Sequence, residues 1–300
     1  MQGIALSEWR RRARTFRWQG HDIAYWSEGT GPALVLIHGF PTASWDWHYL
    51  WGPLSRGRRV VACDMLGFGL SDKPSGLYSL HAQADLHAAL LAHLGIKTCD
   101  VLAHDYGVSV AQELLARQIE RGNDAEGSVR LNSIYFLNGG LIPGAHRPRP
   151  IQRFGAGPFG ALLSYVLNRK RFGKSFSAVF GPDSQPTEAE LDDVWSLIQE
   201  KDGHRRTHRL LGYMHDRTHH RERWVGALRG AGIPLGILNG ALDPVSGAHL
   251  LEVALAEAPN LEATRLDDVG HYPQTEAPDR VLAALEGFLD RHGLPVKSHT

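Results

Sequence analysis

Asp105, Asp243 and His271 are of the types, and in the chain order, that covalent hydrolysis needs: a nucleophile, an acid and a histidine. Asp105 lies in Cys99-Asp100-Val101-Leu102-Ala103-His104-Asp105-Tyr106-Gly107. There an apolar strand-like run breaks off and a helical pattern, Val108, Ala111, Leu115 and Ile119, begins at once. This is the layout of a nucleophile elbow with aspartate at its tip. Small residues, Ala103 and Gly107, stand where strand and helix backbones come close. A carboxylate is ionised at neutral pH and needs no base to activate it. It suits displacement at a saturated carbon, which leaves an ester for a second group to hydrolyse. An aspartate here is equally an ordinary helix N-cap, so the surrounding residues must decide.

They sit just after other strand-like runs. His271, in Gly270-His271-Tyr272-Pro273, is the natural base, and Asp243, in Asn239-Gly240-Ala241-Leu242-Asp243-Pro244, stands where an orienting carboxylate belongs. Singly, Asp243 could cap a turn and His271 could be one of seventeen ordinary histidines. Their joint order with the elbow favours the triad. In His38-Gly39-Phe40-Pro41, Gly39 permits an unusual turn, and the Phe40 and Tyr106 N–H groups are expected to form an oxyanion hole. The stretch Asp64-Met65-Leu66-Gly67-Phe68-Gly69 lacks the third glycine of a dinucleotide loop. It reads as a structural turn, with Asp64 bonding to nearby backbone.

These residues need a scaffold of alternating strands and helices. A hairpin, Thr15–Trp18 and Asp22–Trp26, opens it. Buried strands are expected at Ala33–Ile37, Arg59–Cys63, Val101–Ala103, Ser133–Leu137 and Leu235–Leu238, with a weaker one at Leu261–Leu266. Amphipathic helices lie between: Leu80, Ala84, Leu91 and Leu94 line one, and Val281, Leu282, Leu285, Phe288 and Leu289 line the last, after Pro278. The pattern predicts a mostly parallel sheet covered on both faces, with ligands beyond the strand ends. Alternation fails between about Gly140 and Gly232. That stretch opens on the Pro/Arg-rich segment Pro143–Pro150 and reads as helices near Ala161–Leu167, from the capping box Thr187/Glu190 through Ile198, and around Leu210, Leu211 and Met214. The expected organisation is a core of residues 1–140 and 232–300 with a helical cap of 141–231.

Basic and acidic residues balance at 32 each, which gives no field for nucleic acid or an anionic membrane. Two cysteines, Cys63 and Cys99, beside apolar runs predict buried thiols in a reducing compartment. No apolar run is long enough to span a bilayer, and no signal-peptide pattern is present, so a cytoplasmic protein without a stable membrane anchor is expected. The basic, Trp-containing segment Glu8–Arg14 reads as a solvated lead-in to the first strand. His204, His208, His215, His219 and His220, among Arg205, Arg206, Arg209, Arg217, Arg221 and Arg223, read as a solvated basic face rather than a metal site.

At His38-Gly39-Phe40-Pro41, His104-Asp105-Tyr106-Gly107, Asp243 and Gly270-His271, the chain resembles the α/β-hydrolase superfamily, in its branch of epoxide hydrolases and haloalkane dehalogenases. Asn138–Gly140, Val179–Pro182, Arg223–Leu228 and Leu242–Val245 extend the resemblance to an epoxide-hydrolase-like subgroup, over nearly the whole chain. It implies an α/β-hydrolase fold, an ester on Asp105, a base at His271 oriented by Asp243, and a cap tyrosine, Tyr213, that protonates an epoxide oxygen. Tyr165 is a candidate second tyrosine, and Trp224, His104 and His38 are candidate substrate contacts, His104 more as a support for the elbow. No cofactor or metal is implied; the substrate is a small apolar epoxide or halide, and the protein a monomer or homodimer. Dehalogenases of this branch place Trp after the nucleophile and a second halide donor near the first loop, where this chain has Tyr106 and Phe40. No arginine closely follows Asp105 to grip a substrate carboxylate. The expected activity is therefore epoxide hydrolysis. A haloalkane dehalogenase or another α/β hydrolase is the first alternative, and a non-catalytic binding protein on the same fold the second.

Overall fold

A computed structural model describes residues 1–76, 78–122, 128–147, 164 and 167–294. Eight strands form one sheet in the order β1-β2-β4-β3-β5-β6-β7-β8. They are β1 (Arg14–Trp18), β2 (His21–Glu28), β3 (Ala33–Ile37), β4 (Arg59–Cys63), β5 (Thr98–Ala103), β6 (Arg130–Phe136), β7 (Leu235–Gly240) and β8 (Glu262–Leu266). The hairpin β1–β2 is antiparallel and pairs antiparallel with β4; from β4 to β8 all neighbours run parallel. Every residue of β3 is buried, as its continuous apolar run requires of a strand covered on both faces. The expected strands are all present, several a few residues longer.

The helices are α1 (Leu6–Arg12), α2 (Trp51–Ser55), α3 (Leu80–His93) and α4 (Tyr106–Arg121) before β6. Between β6 and β7, every described element is helical: α5 (Arg169–Ser177), α6 (Glu188–Gln199), a 3-10 turn at Glu200–Arg205, α7 (Thr207–Leu210), α8 (Tyr213–His219) and α9 (Arg221–Arg229). Then come α10 (Ala248–Glu257), α11 (Pro273–Glu276) and α12 (Pro278–His292). Local signals set the boundaries. Thr187 and Glu190 form the reciprocal capping box that starts α6, Pro278 occupies the first turn of α12, and α4 stops at Gly122, with φ +76°. The helix expected around Leu210–Met214 is two pieces. Gly212, a poor helix former, stands at the junction, and the chain switches there to shorter-range bonds such as Met214 N–H to the Leu211 carbonyl.

The N-terminal segment is not the solvated lead-in that its charges suggest. Trp9 is 0% exposed, stacks on Trp26 at 4.9 Å and meets the edge of Trp51 at 4.9 Å, and its carbonyl accepts the Trp26 indole N–H at 2.8 Å. Burying the indoles outweighs keeping the whole segment hydrated, while Arg11 and Arg12 stay exposed and Arg12 pairs with Glu8 and Glu28. Cys63 and Cys99 are buried free thiols, as expected. Among the described residues no helix is long and apolar enough to cross a membrane.

The sheet order reverses direction at β3, with β4 on one side and β5 on the other. Ligands in such sheets bind at this crevice, beyond the carboxyl ends of the strands. The register pairs Ile37 with Ala103, so the chain leaves β3 toward Phe40 beside the point where it leaves β5 toward Asp105. Ala103 also pairs with Phe136, which brings Asn138 to the other flank of Asp105.

Candidate active site

Asp105 stands between strand and helix with φ +45° and ψ −104°, a region a non-glycine residue occupies only under constraint. The constraint is visible. The Asp105 N–H donates to the Asn138 carbonyl at 2.8 Å, the His104 N–H donates to the Ile37 carbonyl at 3.0 Å, and α4 begins at the next residue. Gly107 makes the turn sterically possible, since a β-carbon there would meet the Ile37 carbonyl oxygen and come within 2.8 Å of that of His38. The strain aims the carboxylate. Its Oδ2 accepts the Phe40 N–H at 3.0 Å, from the loop carrying the cis Phe40–Pro41 peptide. Tyr106 opens the helix, where its N–H has no intrahelical acceptor.

His271 faces the other carboxylate oxygen. Its Nε2 lies 3.9 Å from Asp105 Oδ1, too far for a hydrogen bond, while Nδ1 is bound to Asp243 Oδ2 at 2.6 Å. Asp243 is buried among donors: Val245 N–H to Oδ1 at 2.7 Å, Ser246 Oγ to Oδ2 at 2.6 Å and Asn138 Nδ2 to Oδ2 at 3.0 Å. Burial alone would raise its carboxyl pKa, but the His271 charge and these bonds hold it well below the usual carboxylate range. Burial would likewise lower His271. The Asp243 charge, its hydrogen bond and the charge of Asp105 outweigh this and push His271 up to about 9.

The sequence-selected residues divide into two groups. Asp105, Phe40, Tyr106, Asp243, His271 and Tyr213 converge. The Tyr213 ring lies 5.2 Å from that of Tyr106 and 5.9 Å from that of Phe40, and burial, then the Asp105 charge, keep its phenol protonated. Of the other candidates, His38, His104 and Trp224 serve as supports rather than substrate contacts. His38 is fully buried; its Nε2 accepts the Met65 N–H at 3.0 Å, which leaves Nδ1 to donate to the Gly39 carbonyl at 2.8 Å. His104 donates from Nε2 to the His271 carbonyl at 2.8 Å and is held neutral, first by burial and then by the His271 charge. Trp224 is buried with its indole N–H on Glu113 at 2.9 Å, so it joins α9 to α4. Tyr165 lies outside the described residues. Asp64 is the structural turn expected, accepting from the backbone of Ser44 and Leu70.

Two residues of the site have no role in it on sequence reasoning. Asn138 bridges the ends of β6 and β7. Arg217, placed by its neighbours in a solvated basic face, is 2% exposed. Its Nε donates to Ser109 Oγ at 2.8 Å, its Nη2 donates to the Asp105 carbonyl at 2.9 Å and lies 4.0 Å from Asp105 Oδ1, and its Cζ sits 4.6 Å over the Tyr213 ring. The only sequence signal is the i, i+4 spacing from Tyr213, which a run rich in Arg and His obscures. Arg223 is also paired, donating to Glu113 at 2.8 Å while remaining partly exposed. Among the described residues no group of His, Cys, Asp and Glu could hold a metal ion.

Strand order, elbow and histidine loop agree with sequence comparison, in which residues 34–284 match the alpha/beta hydrolase family. The chain belongs to this family. Within it, the mesoderm-specific transcript protein of Mus musculus is 39% identical over 298 residues, covering 95% of this chain and 88% of the relative. Among solved structures, the haloalkane dehalogenase DbeA from Bradyrhizobium elkani superposes with a TM-score of 0.77 at 22% identity, covering 93% of this chain and 97% of the other. The epoxide hydrolase CorEH superposes with a TM-score of 0.74 at 22% identity, covering 93% and 98%. At that identity these two likenesses establish the shared hydrolase fold.

Proposed function

We propose that the protein is a hydrolase working through a covalent ester on Asp105, and that its substrates are small apolar epoxides, opened to diols. One observation carries this reading: the two Asp105 oxygens are differentiated, Oδ2 held by the Phe40 N–H and Oδ1 left facing His271 and Arg217. Oδ1 is therefore the attacking atom. It forms a bond to an epoxide carbon as the ring C–O bond breaks, and the ring oxygen takes the Tyr213 proton. Oδ2 becomes the ester carbonyl oxygen, already in contact with the donor that stabilises it when water adds. The space between His271 Nε2 and Oδ1 suits a water, whose proton passes to His271 as its oxygen attacks the ester carbon. On collapse the bond from the former ester carbon to Oδ1 breaks, and the departing alkoxide takes the proton from His271, releasing the diol that carries the former Oδ1. The acid proton left on Asp105 passes to the Tyr213 phenolate, which restores carboxylate, phenol and neutral imidazole.

The rings of Phe40, Tyr106 and Tyr213 around Asp105 favour an apolar substrate. The CorEH likeness is consistent with epoxide chemistry. The buried thiols Cys63 and Cys99 suit a reducing cytoplasm.

His271→Gln blocks the second half-reaction, so incubation with an epoxide panel should add the whole epoxide mass to Asp105, seen by intact-protein mass spectrometry. Loss of that adduct in Asp105→Asn is the control. A folded His271→Gln protein that takes up no epoxide refutes the proposal.

A further inference from the structure

We infer that Arg217 positions Tyr213 and strengthens it as an acid, and so directs the site toward substrates whose leaving atom is oxygen. This rests on the aspartate-ester reading above. The placement is specific. Arg217 projects from α8 into the core, where Ser109 Oγ fixes Nε and the Asp105 carbonyl fixes Nη2. Gly140 leaves room for it; a β-carbon there would stand 2.6 Å from Cζ. The guanidinium thus cannot shift without disturbing the elbow. Tyr213 is one helical turn earlier, and its ring lies under that fixed plane at 4.6 Å.

The charges explain what the contact does. Burial and the Asp105 carboxylate both resist ionisation of the Tyr213 phenol, while Arg217 opposes them. The remaining ring neighbours, Phe40 and Tyr106, are uncharged. As Oδ1 bonds to carbon, Asp105 gives up its negative charge and the ring oxygen receives the electron pair and the Tyr213 proton. Negative charge then rests on a phenolate facing Arg217, so the guanidinium favours the transition state over the ground state. A departing halide needs no proton, and for it this device has no use.

The test is the single-turnover rate of Asp105 ester formation in the His271→Gln background, with styrene oxide and 1-bromobutane as probes. Arg217→Met should slow alkylation by styrene oxide about tenfold to a hundredfold more than it slows alkylation by 1-bromobutane, the halide reporting any loss of support for the elbow. Arg217→Lys, which keeps the cation, should recover part of the difference. Should Arg217→Met not fold, Arg217→Lys and Ser109→Ala are compared on the same two probes, and each should slow the epoxide more than the halide. Equal slowing with both probes would mean that Arg217 is only scaffold, and no slowing would mean that it is not needed; either overturns the inference. If the parent takes up neither probe, it is the ester reading that fails, and the inference with it.

Discussion

Asn138 and Asp243 are joined across the ends of β6 and β7: Asn138 Nδ2 donates to Asp243 Oδ2 at 3.0 Å, while Asn138 Oδ1 accepts the Gly240 N–H at 2.6 Å. One amide thus holds the acid and the backbone leading to it. Asn138→Ala leaves the buried Gly240 N–H without that acceptor and takes one donor from Asp243. A loss of about 1–3 kcal/mol in urea unfolding is expected. On the proposed ester mechanism, hydrolysis should slow more than ester formation, because Asp243 would act through His271 in the second step; rapid-quench mass spectrometry separates the two.

The pH dependence has two signs. His271 is pushed up to about 9, so its share of stability is complete below its ordinary value of 6.5 and is lost as pH rises through 9. Urea midpoints measured from pH 6 to 10 should therefore fall, and fall less in His271→Gln. In the proposed mechanism His271 serves as a base only when neutral, so ester decay should accelerate with pH. Alkylation removes the Asp105 charge, one of the influences raising His271, so the midpoint for ester decay should lie below the free-protein titration followed by NMR.

Gly107→Ala tests the elbow itself. The atoms its methyl meets are the carbonyl oxygens of Ile37 and His38, which belong to β3 and its exit and have no room to yield. Destabilisation of about 2–4 kcal/mol is expected, read as a lowered thermal midpoint.

Glu113 tests the seam between α4 and the helices inserted after β6. Its buried carboxylate accepts from Arg117, Arg223 and the Trp224 indole. Burial would raise its pKa, yet these bonds bring it down to about 2. Its contribution is accordingly present above the ordinary glutamate value and lost as pH falls toward 2. Glu113→Ala should cost about 2–3 kcal/mol, less than a fully buried pair because the arginines are partly hydrated, and should flatten the acid-unfolding curve.

Which parts of this were legible in the sequence follows from how local the cause is. Ala33–Ile37 and Val101–Ala103 announce themselves because a strand buried on both faces is apolar at every position, and the residues after such strands are confined to one rim. The capping box at Thr187 is legible because both partners lie within one turn. Trp9 and Arg217 are not. Each sits in a run of charges whose average reads as solvated, and each is buried by partners far along the chain: Trp26 and Trp51 for one, Ser109 and Asp105 for the other. His38 and Trp224 are legible as noteworthy residues but not as supports, because only the fold reveals that Met65 and Glu113 occupy their polar atoms.

One carboxylate gives the insert a hand on the chemistry. Glu276 accepts the N–H groups of Gly270 and Tyr272, on either side of His271, and also the Gly181 N–H and the Ser184 hydroxyl, while the His271 N–H itself donates to the Val179 carbonyl. The histidine loop is thus stitched to the insert at residues 179–184. Its seat is built in part from residues of the insert, so the position of His271 depends on contacts made far earlier in the chain as well as on β8.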